Sequence, residues 1–292
     1  MNRTSHTAYR LLLIILATAL AATALAQPPQ VQKPYEPSVG QPGKDVVWVP
    51  TSHELVDKML DIAKVTPADY LIDLGSGDGR TVITAAKRGL HALGIEYNPD
   101  MVELSKANAA KEGVSELATF VKADIFESDF SKATVITMFL LPNLNLQLRP
   151  KILDLKPGTR IVANTFTMGD WTADETTNAG EEGSSDEEGY GSFHTALLWI
   201  VPAKVAGTWQ MGKEELVFTQ TFQTFEGTFR SEGRSVPISN GRLRGDQISF
   251  TVSPPNGDLN FSGTVSDGQI HGTVKKGAES LSFTATLRKT EK

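Results

Sequence analysis

The sequence predicts an α/β domain with a mostly parallel sheet and helices on both faces, followed by a smaller antiparallel all-β domain, a barrel or a sandwich. Two patterns predict this architecture. Between residues 45 and 203, short apolar segments alternate with segments of helical periodicity, as in βαβ crossovers. Between residues 204 and 292, apolar residues recur at every second position, as in half-buried strands.

Composition narrows the classes of function. The 292 residues carry a net charge of -6 and have no long cluster of Lys or Arg, which argues against a nucleic-acid partner. The chain has no Cys, so disulfides, thiolate metal sites and cysteine nucleophiles are excluded. The histidines beyond the first residues show no metal-ligand spacing, and we predict no metal site from His53, His91, His194 and His271.

The first residues have the layout of a secretory signal peptide. Arg3 and Arg10 precede an apolar run that ends in the small-residue pattern Ala24-Leu25-Ala26. We therefore predict a signal peptide over residues 1–26 and an exported protein, periplasmic or secreted. If this segment were not cleaved, it would tether the protein to the membrane, and the rest would still lie outside the cytoplasm.

The α/β elements follow in order. Residues 27–44 are rich in Pro and Gly and predict an extended arm. Thr51 and Glu54 form a capping-box pattern that predicts the start of the first helix. The remaining pattern predicts strands over 70–74, 93–96, 118–122, 134–140, 160–166 and 196–201, with helices over 80–88, 99–112 and 144–153.

Residues 172–191 interrupt this alternation. They contain seven acidic residues and no basic ones, which predicts a solvated mobile loop. A substrate lid and a cation-binding loop are the alternatives. In the β-rich domain, hairpin turns are predicted at Asn240-Gly241, Asn256-Gly257 and Asp267-Gly268. The sequence leaves open whether this domain docks a substrate or caps the first domain.

The loop Gly75-Ser76-Gly77-Asp78-Gly79 lies between a strand and a helix, where a backbone can approach a ligand closely. A dinucleotide site would place a third glycine where Arg80 stands, and Asp78 would repel phosphates. An acidic loop suits S-adenosylmethionine, which has a positive centre and no phosphate. Glu96 ends the second strand, where its carboxylate can accept both ribose hydroxyls.

At these residues the chain resembles a known family. Residues 73–80 resemble motif I of the class I, seven-β-strand methyltransferases, which have a Rossmann-like sheet. Together with Val49-Pro50-Thr51 and Gly94-Ile95-Glu96-Tyr97-Asn98-Pro99, they are similar to a narrower group. That group contains the ATP synthase c-subunit lysine methyltransferase and the archaeal protein-lysine methyltransferases. The resemblance covers about residues 45–170 and not the β-rich domain.

The resemblance implies S-adenosylmethionine as cofactor. Asp73 and the glycine-loop backbone would hold its methionine part, Glu96 its ribose, and Asp124 with Ile125 its adenine. Thr51 would face its carboxylate, as its place at a helix N-terminus also favours. The cofactor-binding residues implied are Thr51, Asp73, Gly75, Ser76, Gly77, Asp78, Gly79, Glu96, Asp124 and Ile125.

The loop after the fourth strand would form the acceptor pocket, with Phe139, Pro142 and Asn143 as its residues. It lacks the Asn/Asp-Pro-Pro-Tyr tetrapeptide of methyltransferases that act on DNA amines. Trp48 and Tyr35 are further candidates for the mouth of this pocket. The favoured hypothesis is a methyltransferase acting on protein lysine. The alternatives are a small-molecule methyltransferase and an exported binding protein that keeps the fold, since S-adenosylmethionine is made in the cytoplasm.

Overall fold

The computed structural model describes residues 35–180 and 193–288. The chain divides into two compact units, residues 1–36 and residues 37–292, and both predicted domains belong to the second unit. The predicted signal peptide lies outside the described residues. Within the parts described, no helix combines the length and the apolar character needed to cross a membrane.

A seven-stranded sheet forms the centre of the first domain, in the order β3-β2-β1-β4-β5-β7-β6. Strands β1 to β5 pair in parallel, whereas β7 runs antiparallel to both β5 and β6. The mostly parallel α/β prediction is therefore confirmed. The strands are β1 (Tyr70–Leu74), β2 (His91–Glu96), β3 (Ala118–Lys122), β4 (Val135–Met138), β5 (Arg160–Asn164), β6 (Glu175–Asn178) and β7 (Thr195–Ile200).

Helices cover both faces of this sheet because successive strand residues point to opposite sides. On β4, Val135 packs with the helices of one face and Ile136 with the helix of the other. The first face carries α1 (His53–Ile62), α2 (Arg80–Lys87) and α3 (Pro99–Lys111), and the second carries α4 (Pro142–Leu153).

The start of α1 differs from the capping-box prediction. Its N-cap is Ser52, whose hydroxyl accepts from the backbone N–H of Leu55 at 3.3 Å. Thr51 instead accepts a hydrogen bond from the Asn164 side chain at 3.2 Å, and Glu54 accepts from the N–H of Gly180. Both residues of the predicted capping box therefore form hydrogen bonds with residues distant in sequence. Thr51, the residue before this N-cap, is buried.

The predicted acidic loop contains β6, the edge strand of the seven-stranded sheet. Residues 175–178 form β6, which pairs with β7 at the edge of the sheet. Its sequence, Glu-Thr-Thr-Asn, has no apolar alternation, because an edge strand can expose most of its side chains. The loop prediction was therefore wrong for these residues, and the acidic residues from 181 to 192 lie outside the described part of the chain.

The C-terminal domain is a closed barrel of eight antiparallel strands, in which each strand pairs with its neighbours in sequence and the last strand pairs with the first to close the barrel. Aromatic side chains fill the interior, with the rings of Phe250 and Phe261 stacked 4.5 Å apart and Trp209 fully buried. The strands are β8 (Gly207–Met211), β9 (Glu214–Thr221), β10 (Thr224–Ser231), β11 (Arg234–Arg244), β12 (Gln247–Val252), β13 (Leu259–Ser266), β14 (Gln269–Lys276) and β15 (Glu279–Leu287).

Two of the three predicted hairpin turns join barrel strands, and the third does not. Asn256-Gly257 lies between β12 and β13, and Asp267-Gly268 between β13 and β14. Asn240-Gly241 lies within β11, where the pairing register shifts on both sides. Asn240 has a φ of +54°, which a bulge requires as much as a hairpin turn does. The local sequence could not distinguish the two structures.

The barrel packs directly on the β6 side of the first domain. The ring of Phe222 stacks on that of Trp171, 5.8 Å apart, and the Gln223 amide donates to the carbonyl of Thr172 at 2.7 Å. A Cβ on Gly245 would lie 2.9 Å from the Cα of Gly158, so the two backbones touch. These contacts favour the cap interpretation of the β domain.

Candidate active site

The glycine loop follows β1 and brings backbone close to a cavity of about 210 Å³ at the carboxyl ends of the parallel strands. Gly75, Gly77 and Gly79 all have left-handed φ angles, between +55° and +84°. A Cβ on Gly77 would lie 2.6 Å from the indole nitrogen of Trp48. Gly79 is the N-cap of α2 and does not line the cavity. The ring of Phe120 leaves no room for a Cβ at this position.

Glu96 lies at the end of β2, as expected, and its carboxylate is held by the backbone. One oxygen accepts from the N–H of Gly77 at 3.0 Å and the other from the N–H of Asn98 at 2.8 Å. These bonds join the end of β2 to the glycine loop. Each oxygen keeps a further lone pair for a ligand hydroxyl.

Asp73 is 6% exposed and accepts a 2.7 Å hydrogen bond from the hydroxyl of Thr137 on β4. The pKa of Asp73 is raised to about 7: burial is the largest cause, the Thr137 bond offsets part of the shift, and the nearby charges of Glu96 and Asp78 add to it. The carboxyl group is thus placed where a positive ligand would favour its ionised form.

Asp78 is not an unpaired charge, contrary to the argument from sequence. Its carboxylate forms a bidentate ion pair with Arg80, with a shortest distance of 2.8 Å, and Arg80 also donates to the carbonyl of Thr51 at 2.9 Å. Arg80, which stands where a dinucleotide-binding loop has its third glycine, therefore binds Asp78. The carboxyl groups at the loop that have no ion-pair partner among the described residues are those of Asp73 and Glu96.

Asp124 follows β3 and is oriented by the N–H of Phe126, 2.9 Å away. Its other oxygen accepts from the Lys44 ammonium, and this bond is the main reason that the pKa of Asp124 lies below its usual value. The ammonium also lies 5.0 Å above the ring of Tyr97. The end of the cavity expected to hold adenine is therefore bounded by Lys44.

Residues 40–48 form a small hairpin beside the cavity, which we call the strap. The N–H of Gly40 donates to the carbonyl of Trp48 at 2.8 Å, and the N–H of Trp48 donates to that of Gln41 at 2.9 Å. The extended-arm prediction was therefore wrong for its last residues, because this segment pairs with itself. Trp48 lines the cavity beside the glycine loop, and Tyr35 belongs to the first unit.

Nine of the ten residues predicted to bind cofactor line this cavity, all except Gly79: Thr51, Asp73, Gly75, Ser76, Gly77, Asp78, Glu96, Asp124 and Ile125. Of the predicted acceptor residues, Phe139 lines it as well. Pro142 and Asn143 begin α4, are exposed, and do not line it. Among the described residues, no three His, Cys, Asp or Glu side chains are grouped as metal ligands.

A family model described as the ANTKMT methyltransferase domain matches residues 73–175. A protein-lysine N-methyltransferase of Saccharolobus islandicus (strain REY15A) is 43% identical over 159 residues, which cover 53% of this chain and 94% of that protein. The chain belongs to the protein-lysine N-methyltransferase family. The methyltransferase is a class I enzyme that uses S-adenosylmethionine, as the resemblance implied.

Two further methyltransferases are similar to this chain over about half of its length. The ATP synthase c-subunit lysine N-methyltransferase of Homo sapiens is 35% identical over 134 residues, 46% of this chain and 57% of that protein. This chain thus spans little more than half of that relative. A crystal structure of an RNA methyltransferase from Salinibacter ruber with S-adenosyl-L-homocysteine is 42% identical, with a TM-score of 0.48, and covers 54% of this chain and 96% of that one.

The polar groups that line the cavity of the methyltransferase are suited to S-adenosylmethionine. The negative charge of Glu96 acts on the buried Asp73 carboxyl, and a cationic ligand would relieve the repulsion between them. The Ser76 hydroxyl is buried and has no hydrogen-bond partner among the described residues. When bound, the cofactor supplies a methyl group already activated by its sulfonium. The protein residues then align the acceptor and exclude water, and no general base is required of them.

Several residues of the site were not foreseen from sequence. The cavity is also lined by Lys44, Arg80, Phe166 and Phe193. Thr137 donates a hydrogen bond to the Asp73 carboxyl. Arg80 could have been identified from sequence, because it directly follows the glycine loop. The others are brought in by strands and loops that are distant in sequence, so no local pattern marks them.

Proposed function

We propose that this methyltransferase transfers methyl groups to the ε-amino group of lysine in a protein outside the cytoplasm. The observation that supports lysine most is that the cavity is lined both by carboxylates and by a cluster of phenylalanine rings, which we call its aromatic side. The carboxylates are those of Asp73, Glu96 and Asp124, and the rings include that of Phe139. The names of the relatives from Saccharolobus islandicus and Homo sapiens also specify lysine.

The aromatic side suits the chemistry of a lysine acceptor. Only a neutral amine has the lone pair that attacks the methyl carbon, and an apolar environment lowers the pKa of lysine by disfavouring the ammonium form. The four-carbon stem of lysine can also bury against aromatic rings. The net charge of -6 gives no support to a nucleic-acid acceptor.

The N-terminal residues support export. Residues 1–26 have the charged, apolar and small-residue parts of a signal peptide. Cleavage would release a periplasmic or secreted enzyme, and an uncleaved segment would hold it at the membrane. The acceptor would then be an envelope or secreted protein.

The acceptor is tested with residues 27–292, labelled S-adenosylmethionine and an envelope extract from the source cells, followed by mass spectrometry of the labelled molecules. We expect the label on protein lysine, and its loss in Glu96→Ala, which also loses micromolar cofactor binding. Label in RNA, in another residue type or only in small molecules would overturn the proposal. The absence of label despite measured cofactor binding would favour the binding-protein alternative.

Export is tested separately by expressing residues 1–292 and residues 27–292 and fractionating the cells. We expect the longer chain in the envelope or medium and the shorter chain in the cytoplasm. Mass measurement of the N-terminus distinguishes a cleaved signal from a tether. Cytoplasmic location of the full chain would refute export without affecting the lysine assignment.

A further inference from the structure

The cavity draws its carboxylates and its apolar side chains from different elements. Its carboxylates come from the strap, the glycine loop with the end of β1, and the ends of β2 and β3. The segments after β4 and β5 and before β7, together with the start of α4, contribute apolar side chains: Phe139, Leu140, Leu141, Leu144, Phe166 and Phe193. The aromatic side of the cavity is therefore part of an apolar surface built by four separate segments.

Three phenylalanines on this side form one continuous wall. The ring centroids of Phe139 and Phe166 lie 6.0 Å apart, those of Phe139 and Phe193 lie 5.2 Å apart, and those of Phe166 and Phe193 lie 5.9 Å apart. Each ring is half-buried, so it packs on its neighbours and still presents a surface to the cavity.

The backbone that places Phe166 is held in an unusual conformation. Thr165 has a φ of +59°, which a β-branched residue rarely adopts. Its N–H donates to the carbonyl of Thr195 at 2.7 Å, and its hydroxyl donates to the side chain of Asn164 at 2.9 Å. The buried amide of Asn145 donates to the carbonyl of Phe166 at 3.2 Å. Strain held by this many bonds is typical of functional sites.

We propose that Phe166 and Phe193, together with Phe139, bind the side chain of the acceptor lysine and keep its amine neutral. The proposal rests on the lysine acceptor proposed above. The lysine nitrogen forms a bond to the methyl carbon, the carbon–sulfur bond breaks, and the sulfur leaves as the neutral thioether of S-adenosylhomocysteine. The methylated ammonium product then loses a proton to water. Asn145 and Thr165 act as positioning residues, through Phe166.

The experiment compares wild type with Phe166→Ala and Phe193→Ala, using the protein fraction of the envelope extract that wild type labels. We expect each variant to label it at least tenfold more slowly at low acceptor concentration, mainly through KM. Calorimetry should give an S-adenosylhomocysteine affinity within about threefold of wild type. The pH at half-maximal labelling should rise, because a more hydrated lysine keeps its proton to higher pH.

Phe166→Leu keeps an apolar side chain and should recover part of the rate, which guards against a mere loss of folding. Phe229→Leu, in the barrel core, is the matched control and should leave labelling unchanged. Wild-type labelling of lysine with equal labelling by Phe166→Ala and Phe193→Ala would overturn this inference alone. Wild-type labelling of anything other than lysine would overturn the proposed function, and this inference with it.

Discussion

Thr137 and Asp73 face each other in register on the neighbouring strands β4 and β1, and the threonine hydroxyl donates to the aspartate at 2.7 Å. The bond connects the cofactor site to the interior of the sheet. Among the cofactor-side carboxylates that the structure describes, Asp73 has its pKa raised, to about 7, and the causes are burial followed by the charges of Glu96 and Asp78.

The first prediction concerns pH. The folded pKa of Asp73, about 7, exceeds its ordinary value of 3.8, so its contribution to stability is fully present below pH 3.8 and lost as pH rises through 7. A cationic ligand reverses this preference, because it favours the ionised carboxylate. We expect S-adenosylmethionine to bind more tightly as pH rises to about 7, by up to roughly tenfold per pH unit. Calorimetry in two buffers of different ionisation enthalpy should detect proton release below pH 7.

The second prediction concerns Thr137→Val. This change removes the hydrogen bond that lowers the pKa of Asp73, so the pH dependence of cofactor binding should move to higher pH. Binding titrations between pH 5.5 and 9 would measure the shift. Thr176→Val, on the exposed side of β6, is the control. An unchanged midpoint in Thr137→Val would mean that Asp73 does not govern the titration.

The third prediction separates two effects at a glycine. Gly77 and Gly113 both have left-handed φ angles, +55° and +72°, which cost an alanine roughly 1–2 kcal/mol. A Cβ on Gly77 would also meet Trp48, whereas one on Gly113 would meet no atom within 4 Å. We expect a loss of thermal stability in both variants, with at least tenfold weaker cofactor binding in Gly77→Ala alone. Equal binding by the two variants would count against a role for the loop backbone.

The fourth prediction concerns the strap. Lys44 joins it to Asp124, so Lys44→Met should loosen the strap and speed the dissociation of S-adenosylhomocysteine severalfold. Stopped-flow measurement of Trp48 fluorescence would follow the release. Lys111→Met, at the exposed end of α3, removes the same charge elsewhere and should have no effect. Dissociation at the wild-type rate in Lys44→Met would show that the ion pair does not restrain the cofactor.

The fifth prediction concerns the contact between the domains. The Asp174 side chain is 1% exposed and accepts from Arg242 on β11 at 2.9 Å, whereas Glu175, the partner of Arg244, is 35% exposed. Arg242→Ala leaves a buried carboxylate without its cation and should cost about 1–3 kcal/mol. Arg244→Ala should cost at most about 1 kcal/mol. Thermal denaturation of both variants would test this, and equal losses would contradict it.

Residue spacing along the chain predicted much of this protein. The apolar periods predicted the parallel α/β sheet and the β domain, and the sequence of residues 73–80 predicted a cofactor loop. These signals are local, because helix and strand periods and left-handed glycines depend on near neighbours. The polar strand β6 and the bulge at Asn240 escaped prediction, since their local sequences resemble a loop and a hairpin turn.

Only the tertiary structure decided which side chains meet at the site. Thr137 reaches Asp73 because β4 lies beside β1, although the two residues are 64 positions apart. Phe139, Phe166 and Phe193 converge because strand order brings the ends of β4 and β5 and the start of β7 to one edge of the sheet. Strand order depends on the packing of the whole core, which no short segment of sequence specifies.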